Sequence, residues 1–328
     1  VRCVVAATIN KNKTRMSLKS ATDGLVAEFR ARPTIRAGSL IITIFGDAIA
    51  PRGGTVWIGS LIRALADFGI NERLVRTSVF RLTRDQWLEV DQVGRRSYYS
   101  LSDDGADRFE QATARIYGDP RQSWGGDWCL VLLGGLDAEK KEMVRKELGW
   151  QGFGAISTNV LAHPTPDIAD VDAVLRQHGV DRDLVVMLGR TLGKKQDDAM
   201  RVLVHKSWNL DELDRRYARF VEQFRPVFGA ARKARRVDER VAFQVRTLLI
   251  QEYRRILLRD PLLPAELLPA GWNGTAAYQL CRNLYQVVYQ PADDFMSASF
   301  ETADGPLPPP APEFYKRFGG LNQTGTNS

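Results

Sequence analysis

The segment WIGSLIRALADFGINERLVRTSVFRLTRD, residues 57–85, decides the organisation of the N-terminal part of the chain. Its first half places apolar residues at helical spacing and ends at Gly69, a residue type that favours the position just after a helix. Asn71 then provides a side chain that caps a helix N-terminus, and Glu72 lies in the first turn that follows. The segment therefore predicts two helices joined by a tight turn, with the second helix over residues 72–85.

The predicted helix 72–85 has two chemically different faces. At about 100° per residue, one arc collects Arg73, Arg76, Thr77, Phe80, Arg81 and Arg84. The opposite arc contains Val75, Ser78, Val79 and Leu82. The simpler interpretation is a solvated surface, but such surfaces usually interleave both charge signs, and here the carboxylates Glu72 and Asp85 lie only at the helix ends. The pattern favours a surface for a polyanion such as nucleic acid.

Residues 87–101, WLEVDQVGRRSYYSL, alternate apolar and polar side chains around Gly94, which predicts a β-hairpin with two arginines at its tip. Two helices joined by a turn and followed by a basic hairpin form the winged-helix arrangement, whose second helix is sized for the major groove. We therefore predict a winged helix-turn-helix domain over residues 34–118. Its predicted DNA-binding residues are Arg73, Arg76, Thr77, Arg81, Arg84, Arg95 and Arg96.

Between residues 122 and 206, apolar strands alternate with amphipathic helices in the order βαββαβ, which is the ferredoxin-like motif. Residues 201–205 add a candidate edge strand, and an exposed sheet edge is suited to self-association. We therefore predict that this domain forms a homodimer. Asp137 follows the first strand and is interpreted as a helix N-cap rather than as a metal ligand or catalytic carboxylate.

The last third of this α+β chain is predicted to be an all-helical domain over residues 207–295. The helix predicted over residues 237–259 is apolar on most sides, so any charges on it need partners or a ligand. Those charged residues are Arg246, Glu252, Arg254, Arg255 and Arg259. Residues 1–33 are interpreted as a flexible leader, and residues 296–328 as a disordered tail because Pro, Gly, Ser and Asn become frequent there.

The composition limits the classes of protein to consider. The 328 residues carry a formal net charge of +7, and their 44% hydrophobic content excludes a wholly disordered or fibrous chain. The three cysteines have no paired spacing, which argues against a disulfide framework or a zinc site and favours a reducing, cytoplasmic location. No apolar run approaches the roughly 20 residues that cross a bilayer, so no membrane partner is predicted.

Four separated motifs, in this order, resemble the PaaX family of phenylacetate-pathway repressors. They are Ser39-Leu-Ile-Ile-Thr-Ile-Phe-Gly-Asp, Pro51-Arg-Gly-Gly, Glu72-Arg-Leu-Val-Arg-Thr, and Tyr253-Arg-Arg with the stretch Asp-Pro-Leu-Leu-Pro-Ala-Glu-Leu-Leu-Pro from Asp260. The resemblance covers residues 34–295. It implies a winged-helix DNA-binding domain, a central dimerisation domain similar to CRISPR-associated ferredoxin-like endoribonucleases, and a C-terminal helical domain. It also implies repression of aromatic-acid catabolism that phenylacetyl-coenzyme A relieves.

An acyl-coenzyme A effector needs cationic side chains for its phosphates and an aromatic slot for its acyl group. The C-terminal helices offer Tyr253, Arg254, Arg255, Trp272 and Tyr285 as effector-binding candidates. The alternative is that these residues hold the C-terminal domain together through ion pairs and aromatic packing. No cofactor is predicted other than this effector ligand.

Two other functions stay open: an enzyme, either a metal-dependent nuclease on the ferredoxin-like domain or an acyl-coenzyme A hydrolase, and a DNA-binding protein without a small-molecule effector. The histidines lie in different elements without ligand spacing; they are His163, His178 and His205. Only two carboxylates, Asp127 and Asp137, flank the first strand of the ferredoxin-like domain. We therefore predict no catalytic and no metal-binding residue, and we interpret the chain as a repressor rather than an enzyme.

Overall fold

The computed structural model describes residues 16–33, 37–118 and 124–321. Its first helix, α1 (Leu18–Arg30), begins after Ser17, whose hydroxyl caps the helix N-terminus. Apolar side chains along one side of α1 are buried against the rest of the chain. The prediction of a flexible leader is therefore wrong for residues 18–30, because that stretch has an amphipathic face to bury. Residues 1–15 of the predicted leader lie outside the described residues.

The N-terminal unit combines helices with a small antiparallel sheet. Its elements are α2 (Ala37–Ile44), a π-helical turn (Phe45–Ile49), a 3-10 turn (Ala50–Arg52), β1 (Val56–Trp57), α3 (Ile58–Ala66), α4 (Glu72–Arg84), β2 (Leu88–Val93), β3 (Arg96–Leu101) and α5 (Asp103–Tyr117). The strands pair in the order β1-β3-β2. Helix α4 packs against α2 and α3, and the β2-β3 hairpin follows it directly.

Local residue chemistry explains the turns of this unit. Gly69 ends the connection after α3 with a φ of 75°, which a side chain rarely adopts. The Asn71 side chain then accepts a hydrogen bond from the Leu74 amide at 2.9 Å and starts α4. At the hairpin tip, Gly94 has a φ of 61°. The predicted turn, cap and hairpin tip are confirmed.

The central unit is a four-stranded antiparallel sheet with helices. Its elements are β4 (Asp127–Leu132), α6 (Ala138–Trp150), β5 (Gly154–Ser157), β6 (Val160–His163), α7 (Ile168–Gln177) and β7 (Val185–Arg190). They follow the predicted βαββαβ order, and the strands lie side by side as β5-β6-β4-β7. Buried residues from β4, α6 and α7 form a separate hydrophobic core. β7 therefore lies at one edge of the sheet.

The predicted edge strand over residues 201–205 is wrong. These residues belong to helix α8 (Lys194–Ser207). A strand would place Val202 and Val204 on the same face, whereas Val204 is buried and Val202 is exposed. Val204 instead joins Met200, one helical turn earlier, in a hydrophobic cluster around Trp128, so burial at helical spacing decides the structure.

The C-terminal unit is built on three long helices: α9 (Leu210–Ala231), α10 (Glu239–Leu257) and α11 (Asn273–Ser299). A short 3-10 turn (Ala265–Leu267) lies between α10 and α11. Helix α11 continues through Pro291, because buried Ala292 and Met296 extend its apolar stripe and their packing outweighs the hydrogen bond that proline cannot donate.

The chain has regular structure after α11 as well. We call residues 300–321 the C-terminal strap; it contains β8 (Glu301–Thr302), β9 (Gly305–Pro306) and a 3-10 segment (Pro312–Gly319). Its side chains Phe314, Arg317 and Phe318 are buried. The prediction of a disordered tail is therefore wrong for residues 296–321, because aromatic residues anchor this stretch. Residues 322–328 lie outside the described part of the chain.

One continuous hydrophobic core joins the N-terminal and C-terminal units. It runs from α1 through the N-terminal unit to α9, α10, α11 and the C-terminal strap. The C-terminal helices are therefore packed directly against the N-terminal unit. Within the described ranges, no helix combines the length and apolar character needed to cross a membrane.

Candidate nucleic-acid interface

The outer side of α4 presents all the side chains that the wheel grouped together. We call this set the cationic face; it consists of Arg73, Arg76, Thr77, Phe80, Arg81 and Arg84, all exposed. On the opposite side, Val75, Ser78 and Val79 are buried against the neighbouring helices. The apolar side of α4 is thus fixed in the core, which holds the cationic face outward.

The arginines of the cationic face differ in their partners. Arg76 pairs with Glu72 at 2.7 Å and Arg84 pairs with Asp85 at 2.8 Å, so the end carboxylates do reach this face, contrary to the sequence interpretation. Arg73 and Arg81 form no ion pair with any residue that the structure describes. Exposed pairs contribute about 0–1 kcal/mol each, so Arg76 and Arg84 can exchange their carboxylate partners for a polyanion at little cost.

Thr77 and the hairpin tip complete this surface. The Thr77 hydroxyl donates to the Arg73 carbonyl at 2.9 Å, and Thr77 is exposed. Arg95 is exposed beside Gly94 at the tip of the β2-β3 hairpin and has no ion-pair partner among the residues described. The hairpin that carries Arg95 directly follows α4 in the chain.

Arg96, the second arginine of the hairpin, is held by the C-terminal strap. Its guanidinium donates to the Glu301 carboxylate at 2.8 Å and lies 4.3 Å from the centre of the Trp57 ring. Arg63 on α3 contacts the same two groups, at 3.1 Å from Glu301 and 5.1 Å from the ring centre. The Glu301 amide also donates to Ser60 at 3.1 Å. The strap, α3 and the hairpin thus meet in one bridge.

Glu301 stays negatively charged in this bridge. Hydrogen bonds from Arg96, and then from Arg63, lower the pKa of Glu301, so the carboxylate is ionised at neutral pH. Sequence reasoning missed Trp57, Arg63 and Glu301. No local pattern could have identified them as partners, because Arg96 and Glu301 are 205 residues apart in the chain.

A second group of arginines lies inside the molecule. We call it the buried ion cluster; it consists of Asp47, Arg52, Arg246, Asp293 and Arg317, all buried. Arg246 contacts Asp47 at 2.7 Å and Asp293 at 2.5 Å. Arg52 contacts Asp293 at 2.8 Å, and Arg317 contacts Asp47 at 3.0 Å. The cluster ties the π-helical turn, α10, α11 and the strap together.

Asp47 is the centre of this cluster. The hydroxyl groups of Tyr117 and Tyr285 both donate to its carboxylate, at 2.6 and 2.9 Å. Burial opposes its ionisation, but the charges of Arg246 and Arg317 outweigh burial and hold the pKa of Asp47 below its usual range. The carboxylate is therefore charged in the folded protein.

Three family models match consecutive parts of the chain. They are described as PaaX-like protein over residues 36–105, PaaX protein central Cas2-like domain over residues 121–201, and PaaX-like protein C-terminal domain over residues 208–298. Over 287 residues, the chain is 42% identical to the transcriptional repressor PaaX of Escherichia coli (strain K12), covering 87% of this chain and 90% of that protein. The chain belongs to the PaaX family. The resemblance seen in the four motifs is confirmed.

Among solved structures, this PaaX-family chain is similar to the uncharacterized protein Rv0674 from Mycobacterium tuberculosis. The TM-score is 0.47 with 23% sequence identity, covering 72% of this chain and 89% of the other.

The five effector-binding candidates of the PaaX-family chain all have partners within the protein. Tyr253 is buried beside Phe220, at 5.6 Å between ring centres, and Tyr285 belongs to the surroundings of Asp47. The remaining contacts join Arg254 to Ser39, Arg255 to Glu252, and Trp272 to Tyr217. These contacts match the packing alternative, and the effector assignment stays a prediction.

The carboxylates considered for a nuclease have structural partners. Asp137 accepts the Lys140 amide at 2.8 Å, which confirms it as the N-cap of α6, and Asp127 pairs with Arg190. Burial and the charge of Arg115 lower the pKa of His163 to about 4, so this imidazole is neutral at pH 7. The part of the chain that the structure describes contains no cluster of three side chains able to hold a metal ion.

Proposed function

We propose that this PaaX-family chain is a cytoplasmic, DNA-binding transcriptional repressor, and that its N-terminal unit acts as a winged helix. The observation that carries the proposal is the cationic face of α4, which a buried apolar side turns outward. Two of its arginines, Arg73 and Arg81, form no ion pair with any described residue. A helix in this position has the size and charge to enter the major groove. The name of the Escherichia coli relative, a transcriptional repressor, supports the same function.

We assign different roles to the two parts of the surface. Arginine binds guanine O6 and N7 in a bidentate manner, so Arg73, Arg76 and Arg81 are the candidates for reading bases, with Thr77 beside them. Contacts from Arg84 and from the hairpin arginines, Arg95 and Arg96, would be to phosphates, which adds affinity that depends on salt rather than on sequence.

We propose that the repressor acts as a homodimer through the central sheet. β7 is an edge strand, and the exposed apolar residues on it and after it support an association surface: Val185, Met187, Leu188 and Leu192. A two-fold dimer would place the two α4 helices about 10–10.5 base pairs apart, or a multiple of that, on an inverted repeat. A chain that sediments as a monomer at micromolar concentration would contradict this.

We further propose that the repressed genes encode aromatic-acid catabolism, as the PaaX resemblance implies, and that an aryl-coenzyme A such as phenylacetyl-coenzyme A releases the DNA. The continuous core between the C-terminal helices and the helix-turn-helix supports such coupling. A ligand shifts this equilibrium only if it binds the two conformations differently.

The test is a DNA-binding titration on the promoter next to the chain's own gene. Saturable binding to this duplex, and weaker binding to a scrambled duplex of equal length, is expected. Adding phenylacetyl-coenzyme A should release the DNA, whereas free phenylacetate should not, and calorimetry should detect heat only with the thioester. Equal binding to both duplexes would contradict the repressor proposal; heat with neither ligand would contradict the effector proposal.

A further inference from the structure

Phe80 is an exposed aromatic residue in the middle of the cationic face. The residue is 69% exposed, and the buried side of α4 is already formed by Val75 and Val79. Packing therefore does not require an apolar residue at this position. Arg76 lies one turn before Phe80 and Arg84 one turn after it, so arginines flank Phe80 along this face of the helix.

The surroundings of Phe80 fit nucleic acid better than a protein partner. A protein-docking surface would be a contiguous apolar patch, but the neighbours of Phe80 on this face are Arg76, Thr77, Arg81 and Arg84. In the major groove, the apolar group that a base pair presents is the 5-methyl group of thymine. If the arginines contact phosphates and polar base edges, the one apolar side chain among them is suited to contact the one apolar group of the groove, a thymine methyl group.

We propose that Phe80 determines sequence specificity by contacting a thymine methyl group in the major groove. This inference rests on the proposed DNA-binding function and names one base that the cationic face reads. Deoxyuridine differs from thymidine only by lacking that methyl group, so it removes the contact and leaves base pairing intact. Losing a buried group of this size reduces affinity about fourfold for each contacted thymine.

The experiment measures binding of the full chain to the promoter duplex and to duplexes with one thymine at a time replaced by deoxyuridine. Three proteins are compared: the wild type, Phe80→Ala and Trp150→Ala. Trp150 lies on α6 of the central unit and has the same 69% exposure, so its replacement controls for loss of an exposed aromatic residue. Unchanged thermal unfolding of Phe80→Ala confirms that the variant is folded.

For the wild type and Trp150→Ala, deoxyuridine at one position, or at two positions related by symmetry, should weaken binding about fourfold per site. Phe80→Ala should bind the thymine and deoxyuridine duplexes equally. If Phe80→Ala keeps the wild-type ratio, or if the wild type binds specifically with no dependence on any thymine methyl group, the inference is overturned while the proposed function stands. If the wild type binds no duplex specifically, the proposed function fails and the inference with it.

Discussion

The cationic face of α4 and the buried ion cluster both depend on arginine, but the fold treats them in opposite ways. In the cluster, Asp47 and Asp293 lie within 3.0 Å of three guanidinium groups, and every member is buried. On the cationic face, Arg73 and Arg81 are exposed and form no ion pair within the described residues. The comparison teaches that arginine content alone does not identify a binding surface. The decisive property is whether the fold itself provides the counter-charge.

The largest expected effect is in the buried ion cluster. Asp47→Asn leaves Arg317 without a carboxylate partner among the described residues and leaves Arg246 with Asp293 alone, and breaking a buried pair in this way costs about 3–5 kcal/mol. Arg81→Ala removes an exposed side chain and should change the free energy of unfolding by less than about 0.5 kcal/mol. Urea unfolding of both variants measures the difference. If Asp47→Asn and Arg81→Ala had similar free energies of unfolding, the proposed difference between the cluster and the cationic face would be contradicted.

Acid should act on the cluster and not on the cationic face. The folded-state pKa of Asp47 lies below its ordinary value of 3.8, so the stability that its charge provides is complete above pH 3.8 and is lost as the pH falls through the folded value. Below pH 4, the free energy of unfolding should therefore fall less steeply with decreasing pH in Asp47→Asn than in the wild type, by up to about 1.4 kcal/mol per pH unit. Arg81→Ala should follow the wild-type curve.

His163 provides the control for this acid response. Its pKa falls from 6.5 to about 4 on folding, so the unfolded chain takes up a proton that the folded chain does not, and stability falls between pH 6.5 and about 4. His163→Gln should reduce the slope in that range and leave the slope below pH 4 unchanged. Urea unfolding at half-unit pH steps separates the two groups. If His163→Gln and Asp47→Asn changed the slope in the same pH range, the assignment of the two ranges to two groups would be contradicted.

The smallest expected effect concerns the ion pair between Arg96 and Glu301. This pair is exposed, unlike the buried ion cluster, but it has a counter-charge, unlike Arg73 and Arg81. Glu301→Gln removes the carboxylate that holds Arg96 and so frees a guanidinium for phosphate. DNA affinity should rise up to about fivefold, the equivalent of one surface ion pair, with a steeper salt dependence. Binding titrations at several salt concentrations measure both. A loss of affinity would mean that Glu301 positions Arg96 for DNA instead.

Sequence patterns were sufficient where neighbours in the chain decide the structure. The caps at Asn71 and Asp137 and the two faces of α4 depend on residues within one or two turns, and all of them are confirmed. The βαββαβ order was also readable, because each strand and helix carries its own periodicity.

The remaining features depend on residues far apart in the chain. Asp47 meets Arg317 across 270 residues, and Arg96 meets Glu301 from a stretch whose composition indicates disorder. Helix α1 and the C-terminal strap are ordered only because they find a core contributed by other segments. Long-range contacts also gave partners to Tyr253 and Tyr285, whose aromatic side chains had made them candidates for a ligand.

The most direct test of the central claim compares Arg73→Ala, Arg76→Ala and Arg95→Ala in titrations on the promoter duplex and on a scrambled duplex. If the cationic face reads bases, Arg73→Ala and Arg76→Ala should each reduce the ratio of specific to non-specific affinity by about 5- to 150-fold, equivalent to 1–3 kcal/mol. Arg95→Ala should weaken both duplexes by the same factor. Equal losses on both duplexes for all three variants would contradict the account.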